Sequence, residues 1–352
     1  LIDEIASRYD QNPDSSIPIP GTTSFREGNP GLVLDIERSL PTVEQGLRSP
    51  AERSVSLIIT EISPPRPSLE NLEMLLTQII DRSSYDGLTE IFIMDLENRE
   101  ELNFTYERGI NYDPGIAFTA ASTVKIPIMV SAFRRLPEPT SQTAAEMMKN
   151  MIEKSENPPA DSLMETYLDP NIGPIFVTQD MQEIGLQNTF LAGHFYLGAP
   201  LLQRYSTPAN QRFDYTTDPD VYNQTTTADL GMLLDDIYQC AQTGGGTFAA
   251  VFEGDISQSE CQLMITYLTQ NKIAVLLQAG LPDGTNIGHK HGWITESDGL
   301  IHTILDAGIV FSPGSNYAVV VAMYQPTQLI FDVANFLTAQ LSTAIYNYFN
   351  IS

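Results

Sequence analysis

Ser122 and Lys125 stand three residues apart in "FTAASTVKIPIMVSAFRRL", where a small polar stretch gives way to an apolar periodic one. On a helix beginning near Ser122 the two side chains share a face. A serine at a helix start lies near free backbone N–H groups and the positive end of the helix dipole. Both features suit a hydroxyl nucleophile, because the same amides can stabilise an oxyanion. A lysine desolvated enough to lose its proton can accept the proton of the serine. The apolar run "IPIMV" around Lys125 supplies that desolvation, since an unpaired ammonium is costly there. Pro127 is the odd residue, removing one helical hydrogen bond within two turns of the start. Taken alone, the pair reads more simply as a capping serine with a surface lysine.

Two further stretches could complete such a site. "MIEKSENPPADSLMETYL" places Ser155, Glu156 and Asn157 between two apolar helical stretches. "GHKHGWI" places Lys290, His291 and Gly292 on a strand, where the glycine would allow a substrate backbone to approach closely. As isolated features, they are ordinary loop and edge-strand compositions.

The elements that must position these residues follow from hydrophobic periodicity. "PSLENLEMLLTQIIDRS" has the spacing of an amphipathic helix with Ser68 as N-cap. "LTEIFIMDL" and "ELNFTYE" read as a hairpin. A long helical block follows, whose clearest member, "TTADLGMLLDDIYQCAQTGGG", ends in a glycine stop. Strand patterns return in "IGHKHGWI", "IHTILDAGIVF" and "NYAVVVAMYQ", and the chain closes on the helical "TQLIFDVANFLTAQLSTAIYNYF". The order predicts an α/β fold: an antiparallel five-stranded sheet flanked by N- and C-terminal helices, with an inserted all-helical lobe. The expected division is an N-terminal extension with a Pro-rich linker over 1–66, then a sheet lobe of 67–116 and 281–352 and a helical lobe of 117–280. A cleft between the lobes is where a site is expected.

Composition narrows the partners. A net charge of −26 repels phosphate backbones and anionic lipid, so no nucleic acid partner is expected. No apolar run is long enough for a membrane span. The chain opens on Leu1 without a visible leader, and we read it as a mature or trimmed piece, so the missing leader does not argue for the cytoplasm. Cys240 and Cys261 lack zinc-site spacing and leave two readings, a disulfide or two buried thiols. No metal or other cofactor is expected.

Together and in this order, the three motifs resemble those of the penicillin-recognising serine acyl-transferases, Ser-x-x-Lys, Ser-Asp-Asn and Lys-Thr-Gly. The class A β-lactamase-like branch is the most similar. Glu156 stands in place of the family aspartate and His291 in place of the threonine, while "NQTTTADLGMLLDDI" resembles the helix after that branch's Ω-loop. The resemblance spans roughly residues 68–350. It implies Ser122 as the acylated nucleophile, Lys125 as its proton acceptor and Ser155 as the relay to the leaving nitrogen. It further implies that Asn157 holds the substrate amide, that Lys290 with His291 attracts a carboxylate, and that the backbone N–H groups of Ser122 and Trp293 form the oxyanion hole beside Gly292.

One departure matters. Class A enzymes use an Ω-loop glutamate to activate the deacylating water, and no glutamate occurs between Leu186 and Thr225. Of the carboxylates there, Asp214 and Asp220 are the candidates; if neither serves, the acyl-enzyme should be long-lived. The expected activity is therefore that of a serine hydrolase opening β-lactams, with slow deacylation. The alternatives are a D-alanyl-D-alanine peptidase or penicillin-binding protein and, in another class, a non-catalytic peptidoglycan-binding module. The partner is a small-molecule β-lactam or a peptidoglycan peptide; oligomeric state is left open. Residues 1–66 faintly resemble the tail of a peptidoglycan-binding domain, which with the family implies an extracytoplasmic protein.

Overall fold

The computed structural model describes residues 2–51 and 54–351. We label the elements from residue 67 onward. Helix α1 (Leu69–Arg82) is capped by Ser68, whose side chain accepts from the Asn71 amide. Strands β1 (Leu88–Asp95), β2 (Glu101–Glu107) and the short β3 (Ile110–Tyr112) follow. The helical block contains α2 (Lys125–Phe133), α3 (Gln142–Glu153), α4 (Asn157–Leu163), α5 (Gly173–Glu183), α6 (Thr227–Thr243) and α7 (Gln258–Thr269). Strands β4 (Asn286–Thr295), β5 (Ile301–Phe311) and β6 (Tyr317–Tyr324) return to the sheet before α8 (Phe331–Phe349).

The sheet is antiparallel, in the order β4-β5-β6-β1-β2-β3. It has six strands where five were expected; the extra one, β3, is a three-residue edge pairing created when the chain turns back at Arg108–Gly109, both at positive φ. Strands β1 and β6 are buried along their whole length because both faces are covered. On one face Leu72, Leu76 and Ile80 of α1 and Leu337, Leu341 and Ile345 of α8 join Ile91, Ile93, Val319 and Val321 in one core. On the other, Leu230, Leu234 and Ile237 of α6 pack with Phe92, Val320 and the helical block. Cys240 on α6 and Cys261 on α7 form a disulfide, which resolves the two sequence readings.

The first 66 residues contain more structure than their proline content suggests. Helices span Ile2–Tyr9 and Ile36–Arg48, and strands Gly31–Leu34 and Ile59–Ile62 pair antiparallel. A small hairpin, Ile17–Pro18 with Phe25–Arg26, reaches the C-terminal helix: Asn347 Nδ2 donates to the Thr23 carbonyl at 2.8 Å, and the Phe25 and Tyr348 rings lie 6.0 Å apart. Arg66, in the proline cluster, bonds Asp95 at 2.8 Å and covers the Tyr348 and Phe349 rings. The linker is thus fastened to the sheet lobe at its end. Among the described residues no helix is long and apolar enough to cross a membrane.

Candidate active site

Ser122 does not begin the α-helix. It lies in a 3-10 turn, Ala121–Val124, and α2 starts at Lys125. This shift accounts for Pro127, which falls in the first α-helical turn, where its missing N–H has no intrahelical acceptor to leave unpaired. Ala121, just before the serine, has φ +48°, a conformation that costs a non-glycine residue about 1–2 kcal/mol. The turn is held by Asn223, whose Oδ1 accepts from the Ala121 amide at 2.7 Å while its carbonyl accepts from Ala120.

Lys125 is fully buried. Its Nζ donates to Ser122 Oγ at 3.0 Å, the Ser155 carbonyl at 2.7 Å and Asn157 Oδ1 at 2.8 Å. Three acceptors match the three hydrogens of an ammonium group. Burial, followed by repulsion from Lys290, brings its pKa down from 10.5 to about 7. Near neutrality part of the population is therefore the free amine, able to take a proton from Ser122.

Ser155 sits between α3 and α4, also at positive φ, +61°. That turn aims its carbonyl at Lys125 and its hydroxyl at Lys290, whose Nζ donates to Ser155 Oγ at 2.8 Å and to the His291 carbonyl at 3.1 Å. With Oγ accepting from Lys290, the Ser155 proton is free to be donated elsewhere. Burial lowers the Lys290 pKa to about 8, with Asp306 opposing. Positive φ thus occurs beside one serine, at Ala121, and at the other, Ser155 itself, a pattern common at functional sites.

Lys290, His291, Gly292 and Trp293 follow one another on β4, an edge strand paired only with β5. A Cβ on Gly292 would stand 2.8 Å from the Ser122 nitrogen and 2.9 Å from the Ala120 carbonyl oxygen. The glycine therefore lets the strand backbone abut the serine turn. His291 lies on the opposite face of the strand from Lys290, its ring stacked on Trp293 at 4.8 Å, and burial lowers its pKa to about 4. His289, His291 and Asp306 bring metal-ligating atoms within 4.8 Å of one another. Three ring nitrogens there already face protein groups: His289 Nδ1 faces Asp306, His289 Nε2 faces Gln278 and His291 Nδ1 faces Asn271.

The aspartates of the long loop part company. Both ends of that loop and the strand entering the serine turn form one small sheet, Phe118–Thr119, Asn223–Thr225 and Phe190–Leu191. Asp220 is near this neck: its amide donates to Thr119 Oγ1 at 2.9 Å, its Oδ2 accepts from Asn223 Nδ2 at 3.4 Å, and burial raises its pKa. Asp214 is ion-paired with Arg212, whose guanidinium also binds the Asp113 and Pro114 carbonyls, and that hydrogen bond holds the carboxyl down at about 2.

The loop residue that reaches the lysine is Phe195, unmarked in the sequence. Its ring centroid is 5.5 Å from Lys125 Nζ, and its amide donates to Asp161 Oδ1 on α4 at 2.8 Å. No periodic or spacing signal singles out a phenylalanine in "GHFYLGAP"; only the tertiary tether to Asp161 does.

Ser122, the buried Lys125, Ser155 and Lys290 are thus joined through hydrogen bonds into one candidate site, and the family comparison gives the class of protein that holds it. The chain matches the beta-lactamase enzyme family over residues 134–349, and it belongs to that family. Among solved structures it is similar to PBP-A, captured in one case as an acyl-enzyme complex with penicillin G, at 22% identity and TM-score 0.55, over 80% of this chain and 97% of that one. It is also similar to a class A beta-lactamase from Bacteroides cellulosilyticus at 16% identity and TM-score 0.56, over 80% and 98% of the two chains. A beta-lactamase from Xanthomonas campestris pv. campestris aligns at 17% identity and TM-score 0.54, over 78% and 96%. No curated protein matches the chain.

Proposed function

We propose that β-lactams acylate this protein at Ser122 and that the acyl group leaves slowly. The free amine of Lys125 takes the Ser122 proton as Oγ bonds to the lactam carbonyl carbon. The backbone N–H groups of Ser122 and Trp293 donate to the oxyanion, and loss of one such donor costs roughly 3–4 kcal/mol in a comparable hydrolase. When the C–N bond breaks, Ser155 delivers its proton to the nitrogen and is resupplied through the lysines bonded to it. Asn157 holds the substrate amide, and the substrate carboxylate lies along the free edge of β4, within reach of Lys290 from one face of the strand and His291 from the other.

The observation that carries slow release is Phe195. The loop side chain against Lys125 is an aromatic ring, with no lone pair to orient or deprotonate a water. Asp220 is the better placed of the two aspartates, but its oxygens already accept from the Tyr222 amide and Asn223. The Cys240–Cys261 disulfide supports an extracytoplasmic location, because such bonds persist in oxidising compartments.

The test is intact mass against time with penicillin G, alongside β-lactam absorbance. A lasting adduct with little turnover is expected. Rapid turnover with a fleeting adduct would refute slow release and direct attention to Asp220. The same Phe195 observation favours a D-alanyl peptidase as the second reading, tested by release of D-alanine from a D-alanyl-D-alanine peptide.

A further inference from the structure

Asn271, two residues beyond α7, lies outside every motif. Its Oδ1 accepts from the Ile273 amide at 3.0 Å, which fixes the other end of the side chain as the NH₂ group. That nitrogen faces two acceptor positions, the His289 carbonyl at 3.2 Å and His291 Nδ1 at 3.4 Å. Two hydrogens meet two acceptors only if His291 Nδ1 carries a lone pair.

We propose that Asn271 is a positioning residue that locks His291 in the neutral tautomer with its proton on Nε2, making that ring a hydrogen-bond donor to the substrate carboxylate. The carboxylate part rests on the reading of Lys290 and His291 given above; the tautomer part does not. Among the described residues Nε2 of His291 makes no hydrogen bond, so the donor is uncommitted, whereas Nε2 of His194 is sealed and unpaired. Protonating Nδ1 would set two donors against each other. Burial and the neighbouring Lys290, His289 and Lys125 also oppose a charged ring, against Asp306 alone favouring it. A threonine hydroxyl rotates freely between donor and acceptor, so a histidine in this place needs an external group to choose its tautomer.

The experiment uses the full chain with ¹⁵N-labelled histidine, reading ring tautomers at pH 7 from long-range nitrogen–proton correlations. His291 protonated at Nε2 alone is expected in the wild type; an Nδ1–H ring or an imidazolium overturns the proposal even if no variant folds. In Asn271→Asp a carboxylate faces Nδ1, and an Nδ1 proton should appear. Acylation by penicillin G is then compared as the ratio of variant to wild type, which cancels the titration of Lys125. At pH 8 the ratio should fall about tenfold, the scale of losing a hydrogen bond to a charged group. The loss should lie in the substrate concentration dependence, with the limiting rate retained. Toward pH 5.5 the ratio should recover, as a second ring proton restores the Nε2 donor. A ratio near one at every pH overturns the proposal. Absence of any wild-type adduct would instead refute the Ser122 reading and leave the tautomer result standing.

Discussion

Lys125 shows chemistry and stability pulling in opposite directions at one residue. Its pKa of about 7 makes it a usable base near neutrality, so acylation should rise with pH through that value and level off above it. Lys125→Ala should slow acylation by about 10²–10⁴-fold, the usual contribution of a positioned base, and Ser122→Ala should abolish the covalent adduct. Stopped-flow acylation and intact mass check the two, and a Ser122→Ala protein that still labels would remove the serine from its role. The same pKa has a thermodynamic consequence. Below about pH 7 the lysine is charged in both folded and unfolded chains, and the folded state bears the full cost of burying it. Between about 7 and the ordinary lysine value of 10.5 the unfolded chain binds the extra proton, so stability contributed by this site rises with pH. Lys125→Met should therefore be more stable than the wild type at pH 6, by a margin on the order of a few kcal/mol, and the margin should shrink as pH approaches 10. Urea unfolding at the two pH values measures it, and a margin that grows with pH would contradict the assigned shift.

At the scale of elements, the proposal of slow release turns on the long loop. Its backbone is tethered to α4 through Asp161 and to the serine turn through Asn223, so its residue 195 is placed with the precision of the helices. Phe195→Glu puts a carboxylate where the ring now meets Lys125, and the penicillin adduct should decay at least about tenfold faster, since positioned acid–base groups contribute 10²-fold or more. An adduct as persistent as in the wild type would show that the loop does not limit release. The sheet strands, the flanking helices and the three motifs were legible in the sequence, because period-2 and period-3.6 patterns report burial directly: every residue of β1 and β6 and the stripe of α1 are inside. Phe195, Asp161, Asn223 and Asn271 were not legible. Each acts through contacts distant in sequence, such as the 102 residues separating Asn223 from Ala121, and a single polar or aromatic residue in a loop leaves no periodic trace. The 3-10 start of the serine helix escaped for a similar reason, since positive φ at an alanine is imposed by its surroundings.

For the whole molecule, charge sets a condition on the site. The chain carries −26 at neutral pH, while the two amines of the candidate site, Lys125 and Lys290, are buried and partly neutralised by their own lowered pKa values. A distant anion therefore meets mainly the surface carboxylates. Their field reaches about 30 Å at 0.01 M salt and about 8 Å at 0.15 M, so low salt should deplete penicillin near the cleft. Acylation by penicillin G at limiting concentration should accelerate as sodium chloride rises from 10 to 200 mM, by a few-fold on the order expected for like-charge repulsion. Thermal stability should rise over the same range, because screening relieves repulsion within the compact chain. Two measurements then separate the sources. If acylation slows with salt while the melting temperature rises, the lysine pair projects its field beyond the cleft and steers the substrate despite the surface. If both rise, the pair acts only at contact, and the anion is captured by hydrogen bonds from Lys290 and its neighbours after an uphill approach.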